Sequence, residues 1–216
     1  MGYSTVIFDL DGTLLDTLDD LTDSVNFAMR TMGWKERSKK DVRSFLGNGI
    51  RVLMKKSSPD NATEEEFEIA FKAFKEYYDI HNQDKTVPYD GMIELMKRLK
   101  LKGIKMAIVS NKVQEAVDVL KDKFFSDILE YALGDTPGMA RKPEPDSCYK
   151  ALELLGSSKE DTVYVGDSEV DLETAKNAGL DCIAVLWGFR DEDYLVEQGA
   201  KVFAKNPEDI ERLVIG

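Results

Sequence analysis

A chain of 216 residues with 43% hydrophobic and 32% charged side chains can form one large domain, or a core with a modest insertion, and has a globular rather than a disordered balance. Its formal net charge of −12 argues against a grip on nucleic acid or anionic lipid, because both require a basic surface. If the substrate is nevertheless an anion, positive charge must come locally from a metal ion, a lysine and backbone N–H groups.

In chain order, Thr5–Phe8 is a short apolar run that stops at Asp9-Leu10-Asp11-Gly12-Thr13, the pattern of a buried strand ending in a polar turn. From about Asp16 to about Asp84 the spacing is helical only: Leu18, Leu21, Val25, Ala28 and Met29 in one segment, Phe67, Ile69, Ala70, Phe71 and Phe74 in another. Beyond Pro88, helical patterns over residues 91–101, 113–120, 145–155 and 170–178 interleave with apolar runs at 106–109, 163–165, 182–186 and, more weakly, 201–203. This alternation predicts an α/β fold, a Rossmann-like parallel sheet with helices on both faces. The helical block interrupts the first strand-to-helix connection and reads as an inserted helical cap at 16–84, with residues 1–15 and 85–216 forming the core.

Open α/β sheets bind ligands at the carboxyl ends of their strands. There the apolar runs deliver Asp9 and Asp11, Ser110 and Asn111, and Gly166, Asp167 and Ser168, with Asp171 following. Lys142 lies in Arg141-Lys142-Pro143-Glu144-Pro145, where two prolines restrict the approach to the next helix. Singly these residues have plain alternatives. Asp-x-Asp-Gly is a common turn, Lys142 could be a solvated surface lysine, Ser110-Asn111 could cap a helix, and Gly166-Asp167 could be a strand-end turn. An EF-hand loop is excluded, because counting Asp9 as first puts Asp20 where the twelfth-position Glu belongs.

Together the residues meet one chemical demand. A phosphate monoester repels nucleophiles, so its charge must be neutralised while a nucleophile is placed in line. Carboxylates bind Mg²⁺, donors hold the phosphate oxygens, and a second acid protonates the leaving oxygen and then activates water.

The motifs Asp9-Leu10-Asp11-Gly12-Thr13, Ser110, Lys142 and Gly166-Asp167 with Asp171, in that order along essentially the whole chain, resemble those of the haloacid dehalogenase-like hydrolase superfamily. The resemblance implies a Mg²⁺-dependent phosphatase acting on a small phosphorylated metabolite through an aspartyl-phosphate. By it Asp9 is the nucleophile, Asp11 the general acid and base, and Ser110 and Lys142 hold phosphate. Asp9, Asp167 and the Asp11 carbonyl would ligate the metal with Asp171 in support, while Thr13 and Asn111 shape the site. Within the superfamily, Gly47-Asn48-Gly49, Ser110-Asn111-Lys112 and the Lys142 loop resemble the phosphoglycolate phosphatase branch. A glycine-flanked loop can present backbone donors, and Arg51 can reach a substrate carboxylate.

Other branches fit less well. Asp11 speaks against a dehalogenase, which lacks the paired acid and the metal. A sugar phosphomutase would place a histidine in the first cap helix, whereas the single histidine is His81. A phosphonatase needs a Schiff-base lysine in the cap, which the many lysines leave open. A receiver-like signalling domain would be shorter and lack the insertion. Cys148 and Cys182 read as buried free thiols. With no basic leader before an apolar run and no stretch near the roughly 18 apolar residues of a membrane span, the expectation is a cytoplasmic monomer or homodimer.

Overall fold

A computed structural model describes residues 2–216, which divide into two compact units: the chain up to Leu15 with Pro88–Gly216, and Asp16–Val87.

The first unit is an α/β sandwich. Its sheet contains β1 (Thr5–Phe8), β4 (Lys105–Val113), β5 (Tyr131–Asp135), β6 (Thr162–Gly166), β7 (Asp181–Val185) and β8 (Phe203–Ala204) in the order β5-β4-β1-β6-β7-β8, every pairing parallel. Period-two alternation sorts the strand side chains. Val6, Phe8, Ile108, Val163 and Val165 pack with α5 (Met92–Leu101), α6 (Gln114–Phe124) and α10 (Pro207–Ile215) through Leu95, Leu99, Val117, Leu120, Ile210 and Val214. Ile7, Ala107, Val109 and Tyr164 face α7 (Asp146–Leu155) and α8 (Glu169–Ala178) through Cys148, Ala151, Leu152, Ala175 and Ala178. Since both sheet faces are covered, the central strands β1 and β6 are buried at every position. A short α9 (Glu192–Glu197) precedes β8, with Leu195 packed on Ala184.

The second unit is helical: α1 (Leu18–Thr31), α2 (Lys39–Phe45), α3 (Gly49–Ser57) and α4 (Glu64–His81), with short strands β2 (Leu15–Asp16) and β3 (Val87–Pro88) at the two chain crossings. Leu18, Leu21, Val25, Ala28 and Met29 are buried on α1, and Phe67, Ala70, Phe74 and Tyr78 on α4. Ser38 and Thr63 start α2 and α4 with reciprocal caps to Asp41 and Glu66, satisfying amides that the first helical turn leaves unpaired. The buried Asp20 carboxylate accepts from the N–H groups of Lys85 and Thr86, binding the returning chain to α1.

Several expectations need correcting. Ile69, expected on the apolar stripe of α4, is 50% exposed. The strand expected at 106–109 runs on to Val113, so Ser110 and Asn111 lie within β4 and cap nothing; α6 starts at Gln114 with Val113 before it. A strand at Tyr131–Asp135 appears in none of the expected elements, because its sequence, Tyr-Ala-Leu-Gly-Asp, is short, half-buried and ends in turn formers. Cys148 is buried, whereas Cys182 is only partly so. Among the described residues, no helix is long and apolar enough to cross a membrane.

Candidate active site

The chain leaves β1 towards one side of the sheet and later re-enters it on the other side, as β6. The carboxyl ends of β4, β1 and β6 therefore meet at the switch point where such sheets hold ligands. Phe8 is in register with Ile108 on one side and Val165 on the other. Asp9, Ser110 and Asp167 consequently sit one or two positions beyond a single cross-sheet row. The Asp9 N–H still donates to Val165 O at 2.9 Å, so the ladder with β6 holds the nucleophile candidate rigidly.

Asp9, Asp167 and Asp171 form a buried group whose carboxylate oxygens, one from each, lie within 4.8 Å of one another. Lys142 Nζ joins two of them, donating to Asp9 Oδ1 at 2.7 Å and Asp171 Oδ1 at 2.8 Å, and contacts the Tyr164 hydroxyl at 3.0 Å. Lys142 is 6% exposed, which corrects the surface-lysine alternative. Its loop is fastened from two elements, because the Asn111 amide donates to the Lys142 carbonyl and the Asn177 amide to that of Pro143. The Lys142–Pro143 peptide is cis.

Asp171 is the most engaged of the three. Its Oδ2 accepts from the Ser168 hydroxyl at 2.6 Å and from the N–H groups of Asp167 and Ser168, closing a capping box at the start of α8. Asp167 accepts from the Phe189 N–H at 2.6 Å and from Thr13 Oγ1 at 3.4 Å. Two glycines leave room for Asp167. Gly12 has φ +90°, and a Cβ there would stand 2.5 Å from Asp167 Oδ2, while one on Gly188 would stand 2.3 Å from Asp167 Cβ. Any side chain at either position would displace the carboxylate.

The charges do not balance. Burial, and then the negative charge of Asp171, push Asp9 well above the usual carboxylate range even though Lys142 opposes them. The same two causes push Asp167 up to about 7, with the Phe189 N–H opposing. Asp171 moves the other way: burial alone would raise it, but Lys142, Ser168 and Tyr164 outweigh burial and hold it low. Lys142 is raised because Asp171 and Asp9 overcome its desolvation. Three buried acids thus share one ammonium, and Asp9 and Asp167 are the two whose ionised forms are disfavoured. Their hard oxygen donors suit a divalent cation such as Mg²⁺, with Asp171 already committed to Lys142 and α8.

The remaining expected residues are placed as follows. The Asp11 carboxylate receives Lys112 Nζ at 2.9 and 3.3 Å. Thr13 accepts the Trp187 indole N–H on its carbonyl at 3.1 Å. Ser110 Oγ accepts from the Lys112 N–H at 3.2 Å. Gly47, Asn48, Gly49 and Arg51 belong to the helical unit, with Gly47 and Gly49 at positive φ and Asn48 preceding α3. There Arg51 is paired with Glu68, lies 3.5 Å from Glu64, and stacks over the rings of Phe67 and Phe71.

Sequence reasoning assigned no role to Tyr164, Lys112 or the Phe189 N–H. Tyr164 sits inside an apolar strand run, where a hydroxyl looks like core packing. Lys112 directly follows Ser110-Asn111, which was the available signal. A main-chain donor leaves no trace in residue type.

Fold and site together define an α/β enzyme with an acidic, lysine-bearing centre at the carboxyl edge of its sheet. The model of the haloacid dehalogenase-like hydrolases matches residues 6–185, and the chain belongs to that family. Similar proteins include the phosphoglycolate phosphatase of Aquifex aeolicus, 34% identical over 85% of both chains. The pyrophosphatase PpaX of Halalkalibacterium halodurans is 33% identical over 90% of this chain and 89% of its own. A solved structure from Lactobacillus delbrueckii subsp. bulgaricus, described as a candidate phosphoglycolate phosphatase, superposes with TM-score 0.95 at 37% identity over 99% of each chain.

Proposed function

We propose that this protein is a Mg²⁺-dependent phosphatase of small phosphate monoesters, acting through an aspartyl-phosphate on Asp9, with 2-phosphoglycolate as the preferred substrate class. The observation that carries the reading is the buried Asp9–Lys142–Asp171 bridge beside Asp167 at the end of β1. Asp9, Asp167 and the Asp11 carbonyl would hold the metal, which when bound offsets phosphate charge. Asp171 would act in support by fixing Lys142 and α8. Asp9 attacks phosphorus, and Asp11 gives its proton to the departing oxygen and then takes one from water. Lys142, Ser110 and the neighbouring amides hold the phosphate oxygens; Thr13 and Asn111 brace the motifs they adjoin.

The helical unit, 16–84 in the sequence reading and Asp16–Val87 as a compact body, would act as a cap that excludes water during transfer. Gly47, Asn48 and Gly49 would offer backbone donors there, and Arg51 would read a substrate carboxylate by exchanging it for Glu68. Because the Arg51–Glu68 pair is half exposed on both sides, such an exchange is cheap. The protein would work in the cytoplasm as a monomer or homodimer.

The relative named a pyrophosphatase favours a second reading, in which the leaving group is phosphate itself. A panel of 2-phosphoglycolate, sugar phosphates, nucleotides and pyrophosphate, assayed by phosphate release, decides between them. The expected result is a preference of at least tenfold in kcat/KM for 2-phosphoglycolate; the reverse order would install the second reading. Undiminished turnover in excess chelator would contradict the metal requirement in either case.

Metal binding should also be pH-dependent in a defined direction. Asp167 is pushed up to about 7, so at pH 5.5 a cation must displace a proton from it that is largely absent at pH 8. The increase in Tm caused by 10 mM Mg²⁺ is therefore expected to be several degrees larger at pH 8 than at pH 5.5. An equal increase at both pH values would contradict this assignment of ligands.

A further inference from the structure

Lys112 is a buried ammonium to which the proposed reaction gives no task. Its side chain is only 4% exposed, and it meets both oxygens of Asp11, at 2.9 and 3.3 Å. Its N–H is tied to Ser110 Oγ at 3.2 Å within β4. Desolvating a lysine head group is strongly unfavourable unless an anion compensates, so the placement demands a charged partner at that point in the fold. The partner is the second carboxylate of the Asp9-Leu10-Asp11 motif. Each acid of the motif thus has its own lysine, Lys142 for Asp9 and Lys112 for Asp11. Contact with both oxygens holds the head of the Asp11 carboxylate against Lys112.

We propose that Lys112 is the positioning residue for the general acid and base Asp11, an assignment that rests on the phosphatase reading above. In the first step an Asp9 oxygen bonds to phosphorus, the bond from phosphorus to the leaving oxygen breaks, and the Asp11 proton passes to that oxygen. Asp11 becomes a carboxylate as it does so, held in place by the Lys112 contacts to its two oxygens. In the second step water bonds to phosphorus, its proton returns to Asp11, and the bond from phosphorus to Asp9 breaks. Lys112 keeps the carboxylate oriented between the two transfers. Its effect is therefore largest where the leaving oxygen most needs a proton.

The test is kcat/KM across phenyl phosphates of graded leaving ability, from p-nitrophenyl to p-methoxyphenyl, for the parent, Lys112→Met, Lys112→Arg, Asp11→Asn and the Asp11→Asn/Lys112→Met double variant. Lys112→Met is expected to lose on the order of 10²-fold on p-methoxyphenyl phosphate but less than about tenfold on p-nitrophenyl phosphate. Lys112→Arg, which keeps the charge, recovers most of that difference. On the Asp11→Asn background, removing Lys112 changes the rate by less than about threefold, because both act through one group. Equal losses across the series, or multiplied losses in the double variant, would overturn the proposal. If Lys112→Met does not fold, the double variant leaves no unpaired charge and is compared with Asp11→Asn directly, under the same threefold limit. A parent inactive on the whole series sinks the phosphatase reading and this proposal with it; an active parent with a uniform Lys112→Met loss sinks this proposal alone.

Discussion

Replacing Asp9 by Asn is expected to reduce phosphate-ester turnover by on the order of 10⁴-fold or more and to leave the fold intact. The amide cannot form the proposed aspartyl-phosphate, yet it fills the same space in a site where Asp9 is 6% exposed. The consequence for stability follows from the direction of the pKa shift. Burial and Asp171 raise Asp9 in the folded state, so its ionised form is the disfavoured one there. The resulting penalty is absent below the ordinary carboxylate value and grows as pH rises above it. Without a divalent ion, Asp9→Asn should therefore be at least as stable as the parent at pH 8, and Mg²⁺ should raise its Tm less than it raises the parent's. An active Asp9→Asn protein, or one destabilised at pH 8 without metal, would overturn the assignment of Asp9.

Replacing Lys142 by Ala is expected to have the opposite signature, losing both activity and stability. The substitution leaves Asp9 and Asp171 buried with no ammonium between them, and removing one partner of such a group costs about 3–5 kcal/mol. The lysine is raised in the folded state, so its contribution is present at every pH below the ordinary lysine value and is lost only above it. Protonation offers the orphaned Asp9 a way out, which trims the loss under acid conditions. Urea denaturation should accordingly show a larger deficit at pH 8 than at pH 5.5. A Lys142→Ala protein as stable as its parent at pH 8 would mean that the ammonium does not hold the acids together.

The contrast between the two substitutions separates chemistry from architecture. Asp9 is held by the sheet: its N–H continues the β1–β6 ladder, and the strand behind it is wholly buried. Lys142 arrives on a loop, and its position depends on the Asn111 and Asn177 amides together with the acids that it joins. The Asp9 position is thus expected to survive loss of its charge, whereas the Lys142 loop is expected to loosen when its ion pairs are lost.

What could be read from the chain alone was what local pattern determines. Apolar runs ending abruptly in Asp9, Ser110 and Asp167 marked strands and their carboxyl ends, because a strand buried on both faces leaves few other sequences possible. The 3.6-residue spacing of Leu18, Leu21, Val25 and Met29 marked a helix packed on one side. Where pattern failed, packing had decided. Ile69 is apolar yet exposed, since only the stripe of Phe67, Ala70 and Phe74 meets the core of the helical unit. β5 was missed because Tyr-Ala-Leu-Gly-Asp is short, half-buried and ends in turn formers, so it shows no apolar run. At the site, the chain by itself established which ionisable residues fall at strand ends. Only the tertiary structure decided how they pair: Asp9 and Asp171 on Lys142, Asp11 on Lys112, and Asp167 against the Phe189 N–H. That pairing depends on distances and desolvation between residues 29, 101 and 133 positions apart, quantities that residue type and spacing do not carry.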